Sequence, residues 1–320
     1  MTSEALTPPA AGIIGRLSTA VRRTLFRHAG LRGYILLSPT LLVLLGAMCL
    51  PVGILVMYSF WTQTYLEIDH TLTLINYENI LKFVLKGDPP ELVANPYLLL
   101  IGKSVLISLM VTVATVLLAY PIAYFIAFRV HRHKIVWLIL ITIPFCTSYL
   151  LRVFSWKIIL GYNGIINSGL KWLGVIDQPL AFLLHNPTAV VITLAHAWAP
   201  IAILPIFVSL EKMDRSLLEA ATDLGDSPLQ RFLRVTLPLS IPGVVAASML
   251  VFIPTVGDYI TPQLVGGPNG AMVGNLMHAM FFKANDWPLG SALAIVSATT
   301  ITLVSLTIWF VTKYARNRTP

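Results

Sequence analysis

The side chains in this chain that could do chemistry are few and widely spaced. Two aspartates, Asp258 and Asp286, sit in or beside long apolar stretches. A carboxylate at the centre of a membrane helix costs about 2.5–3.5 kcal/mol and marks a functional position by default. Tyr259 and Trp287 are their immediate neighbours, and Tyr149 and Trp156 occupy another apolar region. Carboxylates combined with aromatic faces suit a cationic solute, which gains from both charge and cation–π contact. Trp and Tyr also collect at membrane interfaces for reasons of solvation alone, so each aromatic has an ordinary explanation too.

Other chemistries fail on spacing. Gly102-Lys103-Ser104 ends like a phosphate-binding loop, but Tyr97 stands where that loop requires glycine. His131-Arg132-His133 offers metal-compatible side chains with no further ligand cluster nearby. His196, inside an apolar run, reads as a packing histidine. No Ser/His/Asp set or carboxylate pair reads as catalytic, so the chain is expected to be non-enzymatic, with no metal or cofactor of its own. Arg152 and Lys157 keep an anionic ligand open as an alternative.

The elements that must position these residues are dictated by composition. Of 320 residues, 56% are hydrophobic and only 11% charged, with a mean hydropathy of +0.78. Soluble domains carry about 25% charged residues. The polar surface is too small to wrap a water-soluble globule, which excludes a soluble enzyme, a nucleic-acid-binding domain and a disordered regulator. An all-α integral membrane protein is expected. A span needs about 20 apolar residues, and six stretches qualify: 34–60, 97–128, 135–151, 187–210, 240–256 and 289–312. Pro39, Pro51, Pro121, Pro144, Pro200 and Pro205 fall inside them. Such prolines free backbone carbonyls that neighbouring helices or a water-lined cavity must satisfy, which favours a packed bundle. Cys49 and Cys146 are expected to be small buried hydrophobes.

Charge sets the orientation. Arg16, Arg22, Arg23, Arg27 and Arg32 precede the first span, and Arg129, Arg132 and Lys134 follow the second. Lys212, Arg215, Arg231 and Arg234 follow the fourth, and Lys313, Arg316 and Arg318 close the chain. These are 15 of the 22 Lys and Arg residues, all on one side. By the positive-inside rule both termini are cytoplasmic, so the net charge of +8 reports topology and implies no nucleic acid. The expected organisation is a cytoplasmic tail over 1–33, a six-span domain over 34–312 and a second tail over 313–320. The first span is expected to serve as an uncleaved signal anchor, and the basic tail is expected near anionic lipid head groups.

The most informative segment is the cytoplasmic loop 211–238. Leu217, Leu218, Ala221 and Leu224 fall on one helical face, with Gly225 where a helix-ending glycine belongs. Asp226 or Ser227 then caps a second helix with Pro228 in its first turn. Its apolar stripe is Leu229, Phe232 and Leu233, and Pro238 is expected to stop it. A helix-turn-helix reader of DNA would need a soluble domain, whereas this element is tethered at both ends to spans. Its apolar faces call for docking against another protein.

Glu219-Ala220-Ala221, then Gly225, then Val235-Thr236-Leu237-Pro238 resembles the EAA motif of ABC-type importer permease subunits, with Val235 in place of the usual isoleucine. The resemblance implies a type I (MetI-like) permease fold. It also implies a coupling helix in a groove of a cytoplasmic ATPase, positioned by Glu219, Ala220, Ala221, Gly225 and Leu229. Leu74-Ile75-Asn76-Tyr77, the run from Phe252 to Pro262, Gly274-Asn275 and the run from Asp286 to Ala292 resemble the spermidine/putrescine permeases, most closely the first permease of such pairs. That resemblance implies a bacterial inner-membrane importer of polyamines working by alternating access. Its partners would be two ATPase subunits carrying ATP and Mg, a second permease and a periplasmic or lipid-anchored binding protein, all amid membrane lipids. Asp258, Tyr259, Asp286, Trp287 and Trp156 are the expected pathway residues. The alternatives are the same architecture importing an opine, a phosphonate or ferric iron, or a self-sufficient secondary transporter.

Overall fold

The computed structural model describes residues 29–65, 67–86, 91–183 and 185–318. Most of the amino-terminal tail (1–28) and the last two residues of the chain lie outside these. The chain divides into two units, residues 1–57 and 58–320. The first is dominated by α1 (Ala29–Ser59), which carries Pro39 and Pro51 within it. Its span is apolar on every side, the pattern of a helix that lipid or protein must surround.

The second unit opens with two antiparallel hairpins, β1 (Thr62–Thr64) with β2 (Glu67–Asp69) and β3 (Phe83–Lys86) with β4 (Glu91–Ala94). The short helix α2 (Ile75–Leu81) lies between them. Asn76, from the Leu-Ile-Asn-Tyr run, is buried and donates to the Ser59 and Trp61 carbonyls at 3.2 and 2.7 Å. It ties this extramembrane segment down. The hairpins are the one addition to the all-α expectation.

Helices then follow in order: α3 (Pro96–Phe128), α4 (Lys134–Thr142), α5 (Tyr149–Leu160), α6 (Ile165–Trp172), α7 (Pro187–Glu211), α8 (Arg215–Asp223), α9 (Pro228–Arg231), α10 (Leu237–Val256), α11 (Gly267–Gly270), α12 (Val273–Ala279) and α13 (Trp287–Arg318). Both α3 and α7 begin Asn-Pro. The Asn95 and Asn186 side chains accept from Tyr97 and Ala189 backbone N–H groups at 3.1 and 2.9 Å, while the proline supplies no donor where none is needed.

The core lies where α3, α7 and α10 pack together. Ile107, Val111 and Ile126 of α3 meet Leu194, Ile203 and Ile206 of α7 and Val251 of α10, all buried. A second cluster joins Ile101, Phe252, Val256, Val273 and Leu293. Small residues permit this approach. A Cβ at Gly243 would stand 2.5 Å from both the Pro205 carbonyl oxygen and the Ser209 Cβ, so α10 rests directly on the backbone of α7. Hydrogen bonds add register: Tyr120 to Ser240 at 2.8 Å, and the Val273 N–H to Ser104 Oγ at 2.7 Å. Ser104, which mimicked a phosphate-loop serine in the sequence, is a buried helix contact.

Three expectations are corrected. Among the described residues five helices are long and apolar enough to span, and Lys134–Cys146 with Tyr149–Trp172 supplies a sixth only as a pair bent by 84°. The run 135–151 is therefore not continuous. Pro144 removes a backbone donor and the chain tightens into a 3₁₀ turn over Ile143–Cys146. Second, Pro238 does not stop the second loop helix. A π-helical turn over Phe232–Thr236, in which the Leu237 N–H donates to the Phe232 carbonyl, carries the helix straight into α10, and Pro238 sits in its first turn. The fifth span is accordingly one run, Pro228–Val256. Third, Cys49 and Cys146 are free thiols with exposed side chains. An apolar sequence context implies burial within the protein only in a water-soluble fold, not in helices whose apolar faces turn outward.

The α7–α10 contact yields a direct prediction. Gly243→Val drives a branched side chain into backbone and should destabilise the purified protein by about 1–3 kcal/mol. Gly102→Ala, where nothing lies within 4 Å, should be neutral or stabilising. Thermal unfolding of both variants in one detergent checks the contrast.

Candidate functional site

Two regions gather the residues singled out by sequence. The first is the loop between α7 and α10. The Asp214 side chain caps α8 by accepting the Ser216 N–H at 3.0 Å. That bond holds the Asp214 carboxyl below the ordinary aspartate range. The cap is therefore complete above that range and is lost only when the pH falls below it. At the other end Gly225 has φ +89°, its N–H bonds the Thr222 carbonyl and the Asp226 N–H bonds the Ala221 carbonyl, both at 3.0 Å. This is a Schellman ending, which needs a residue in the left-handed region at that position. Ser227 and Gln230 then form a reciprocal capping box that starts α9.

Two short helices separated by a tight turn are thus fixed locally, without help from a partner. They are also pinned to the spans. Phe232 meets Tyr120 and Tyr124 of α3 edge-on, with centroids 5.7 and 6.2 Å apart. Arg231 donates to Thr222 at 2.8 Å, and Arg234 pairs with Asp226 at 2.9 Å.

The expected apolar face of α8 divides. Ala221 is buried, and Leu218 turns towards Tyr124 and Phe128 in a hollow of about 460 Å³ that Glu219 also lines. Leu217, Leu224, Leu229 and Leu233 are exposed, Leu224 by 87%. Glu219 and Ala220 are exposed as well, and Glu219 has no ion-pair partner among the described residues. An ordered, self-capped element with bare leucines offers a preformed apolar surface to a protein or membrane partner.

The second region is a cavity of about 360 Å³ lined by Phe145, Tyr149, Arg152, Trp198, Asp258 and Tyr259, among others. It forms where the third span breaks and where α10 ends at Gly257. The Tyr149 hydroxyl donates to Asp258 Oδ2 at 2.5 Å and lies 2.6 Å from Thr261 Oγ1. Asp258 Oδ1 accepts the Ile260 N–H at 3.0 Å. Arg152 donates to the Ala197 carbonyl at 2.8 Å, and its guanidinium carbon lies 5.0 and 5.7 Å from the Phe145 and Tyr149 ring centres. The cavity therefore presents one carboxylate, one guanidinium and an aromatic wall.

Asp258 and Tyr259 come together here as the sequence implied, with Tyr259 also stacked on His278 at 4.7 Å. Trp156 lies elsewhere, donating its indole N–H to His196 Nδ1 at 3.1 Å; His196 is exposed and so is not the packed histidine expected from its apolar surroundings. Asp286 and Trp287 head α13. Asp286 Oδ1 accepts the Leu289 N–H at 3.0 Å, a helix-capping bond that explains an acidic residue at that point. Neither lines the cavity that holds Asp258. The sequence reading missed Thr261 and Trp198. Thr261 was discoverable, since it follows Asp258 by one helical turn; Trp198 was hidden among other apolar residues.

A helical bundle with a sharply bent pair, a half-open charged cavity and a self-capped loop between two long apolar helices is the architecture of a multi-span membrane subunit. Residues 92–318 match the family described as binding-protein-dependent transport system inner membrane component, and the chain belongs to that family. It is 39% identical over 202 residues to the spermidine/putrescine transport system permease protein PotB of Escherichia coli (strain K12), covering 63% of this chain and 73% of that protein. With PotB of Haemophilus influenzae the identity is 37% over 203 residues, covering 63% and 70%. With the inner membrane ABC transporter permease protein YdcU of Escherichia coli (strain K12) it is 32% over 223 residues, covering 66% and 70%. The fold is shared with a crystallised bacterial ABC transporter involved in import of the acidic polysaccharide alginate, with a TM-score of 0.61 and 13% identity, covering 93% of this chain and 99% of that one. The type I ABC importer permease fold expected from the loop motif is thus the fold observed.

The turn itself is testable. Gly225→Val places a β-branched residue at φ +89° and should cost at least about 1–2 kcal/mol locally. Hydrogen exchange should rise over residues 215–231 while the α3–α7–α10 core keeps its protection.

Proposed function

We propose that this chain is the membrane-spanning subunit of an ATP-binding cassette importer for polyamines, the spermidine and putrescine class. The observation that carries the reading is the α8–α9 element, ordered by its own caps and exposing leucines and Glu219 between two spans. In the proposed cycle, ATP closes a pair of cytoplasmic ATPase subunits seated on this element and on that of a second permease. The loop moves with them, and the spans rock to open the pathway outward. Hydrolysis, with ATP and Mg held by the ATPases, resets it. A binding protein outside the membrane delivers the solute. The chain performs no bond chemistry, and both its termini and the loop lie in the cytoplasm.

The solute class is supported by the likeness to the PotB relatives and by the cavity. An ammonium group adds to its hydrogen bond with the Asp258 carboxylate a direct Coulomb attraction that the neutral Tyr149 hydroxyl lacks. Tyr149, Tyr259 and Phe145 offer faces for the alkylammonium stem. Asp286, Trp287 and Trp156 are proposed pathway residues with less support, since each has a structural bond of its own.

One observation favours a second reading. Arg152 lines the same cavity, and its buried Nε has no hydrogen-bond acceptor among the described residues, which suits a solute bearing an anionic group.

The test uses proteoliposomes containing the complete importer, fed labelled putrescine. Glu219→Ala should abolish uptake with the complex still inserted. Asp258→Asn should lower uptake by about tenfold, near the 1.5–3 kcal/mol that a hydrogen bond to a charged group contributes. Uptake unchanged in both variants would refute the assignment. Competition by a phosphonate but not by spermidine would select the anionic reading.

A further inference from the structure

At the loop-bearing end of the bundle, one lysine joins three span ends. Lys134 Nζ donates to Glu211 Oε1 and Oε2 at 2.8 and 2.7 Å and to the Ala127 carbonyl at 2.9 Å, using all three of its donors. Ala127 lies in the last turn of α3, Lys134 opens α4, and Glu211 closes α7. Arg215, the first residue of α8, reaches the same Ala127 carbonyl at 3.4 Å. The Lys134 side chain is only 19% exposed, so this is a half-sheltered junction.

Neither charge is explained by its own helix. A helix dipole favours anions at its start and cations at its end, yet Lys134 starts α4 and Glu211 ends α7. Each sits where its own helix disfavours it, and only the pairing across elements accounts for both. The backbone gives an independent sign. His133, immediately before Lys134, has φ +60° and ψ +33°. A non-glycine residue in the left-handed region costs free energy that the surroundings must offset. The short link between α3 and α4 is held in that conformation while Lys134 meets Glu211 and Ala127.

We propose that Lys134 is a positioning residue for energy coupling: its clamp on Glu211 and Ala127 makes the ends of α3, α4 and α7 move as one body with α8. This rests on the reading that α8 is displaced by an ATPase. Without the clamp, a push on α8 still reaches α7 through the short connection Lys212–Asp214. It no longer carries α4, which runs directly into the break at Ile143–Cys146 beside the cavity, whereas α3 stays tied to the loop through Phe232 and to α7 through the core. Coupling energies between sites correspond to about 5–150-fold effects, which sets the scale expected here.

The experiment measures labelled putrescine taken up per ATP hydrolysed by the complete importer in proteoliposomes. Lys134→Met and Glu211→Gln should each lower that ratio by about tenfold while ATP hydrolysis continues. The double variant should be no worse than either single one, because both remove the same contact. Lys134→Arg should retain the ratio. A merely structural clamp would lower the amount of assembled complex and leave the ratio unchanged, and that result overturns the proposal, as do additive losses in the double variant. If a single variant fails to assemble, Lys134→Arg decides, since a guanidinium can keep both the Glu211 pair and the bond to the Ala127 carbonyl. A retained ratio supports the proposal, and an assembled but uncoupled complex overturns it. If the wild-type importer takes up no putrescine, the solute reading fails, and the clamp is judged by stimulation of ATP hydrolysis by the binding protein. That stimulation should be lost in Lys134→Met, and its persistence overturns the clamp.

Discussion

Inside hydrocarbon, a backbone N–H or carbonyl has no water to turn to, so the chain must be helical wherever it meets lipid. Departures from the helix survive only against protein or a polar cavity. In this molecule the departures coincide with the site. The third span breaks around Pro144, α10 ends at Gly257, and the Asp258 cavity lies between those two interruptions. Side chains serve the backbone around it: Asp258 takes the Ile260 N–H just past the end of α10, and Arg152 donates to the Ala197 carbonyl of the neighbouring α7. The same constraint that builds the bundle therefore locates the place where a polar solute can be handled.

The two ends of the bundle are linked by rigid elements. Tyr120 of α3 contacts Phe232 of the π turn and Ser240 of α10, so the docking loop and the second and fifth spans share one contact point. From there α10 runs unbroken to Gly257, beside Asp258, and at Gly243 packs closely against the Pro205 carbonyl and Ser209 Cβ of α7. Displacement at the loop has a stiff route to the cavity. A glycine contact of this kind fixes geometry closely, because any added atom must move backbone.

Much of this was legible in the sequence, for identifiable reasons. The spans were visible because lipid demands long apolar runs, and the docking loop because capping residues and glycine have local meanings: Ser227, Gly225 and Pro228 act where their chemistry predicts. Asp258 stood out because charge is costly in that setting. What escaped the reading depends on contacts distant in sequence. The π turn that carries the chain past Pro238 is a tertiary accommodation, made against Tyr120 and Tyr124. The Lys134–Glu211 clamp joins residues with no local pattern between them. Asp286 looked like a pathway carboxylate, although its spacing to Leu289 already matched a helix cap. The thiols of Cys49 and Cys146 were judged by a rule for water-soluble cores, where apolar neighbours mean burial.

The central claim is that this chain converts movement of an ATPase into movement of a polyamine pathway. The most direct test is affinity purification of the tagged chain from its native host in mild detergent, with the stoichiometry of every co-purifying protein determined. The account predicts an ATPase at about twice the abundance of this chain together with a second six-span protein, and ATP hydrolysis that rises when the binding protein is loaded with putrescine. A chain that purifies alone under conditions preserving a known importer, and moves putrescine down an ion gradient without ATP, would contradict it.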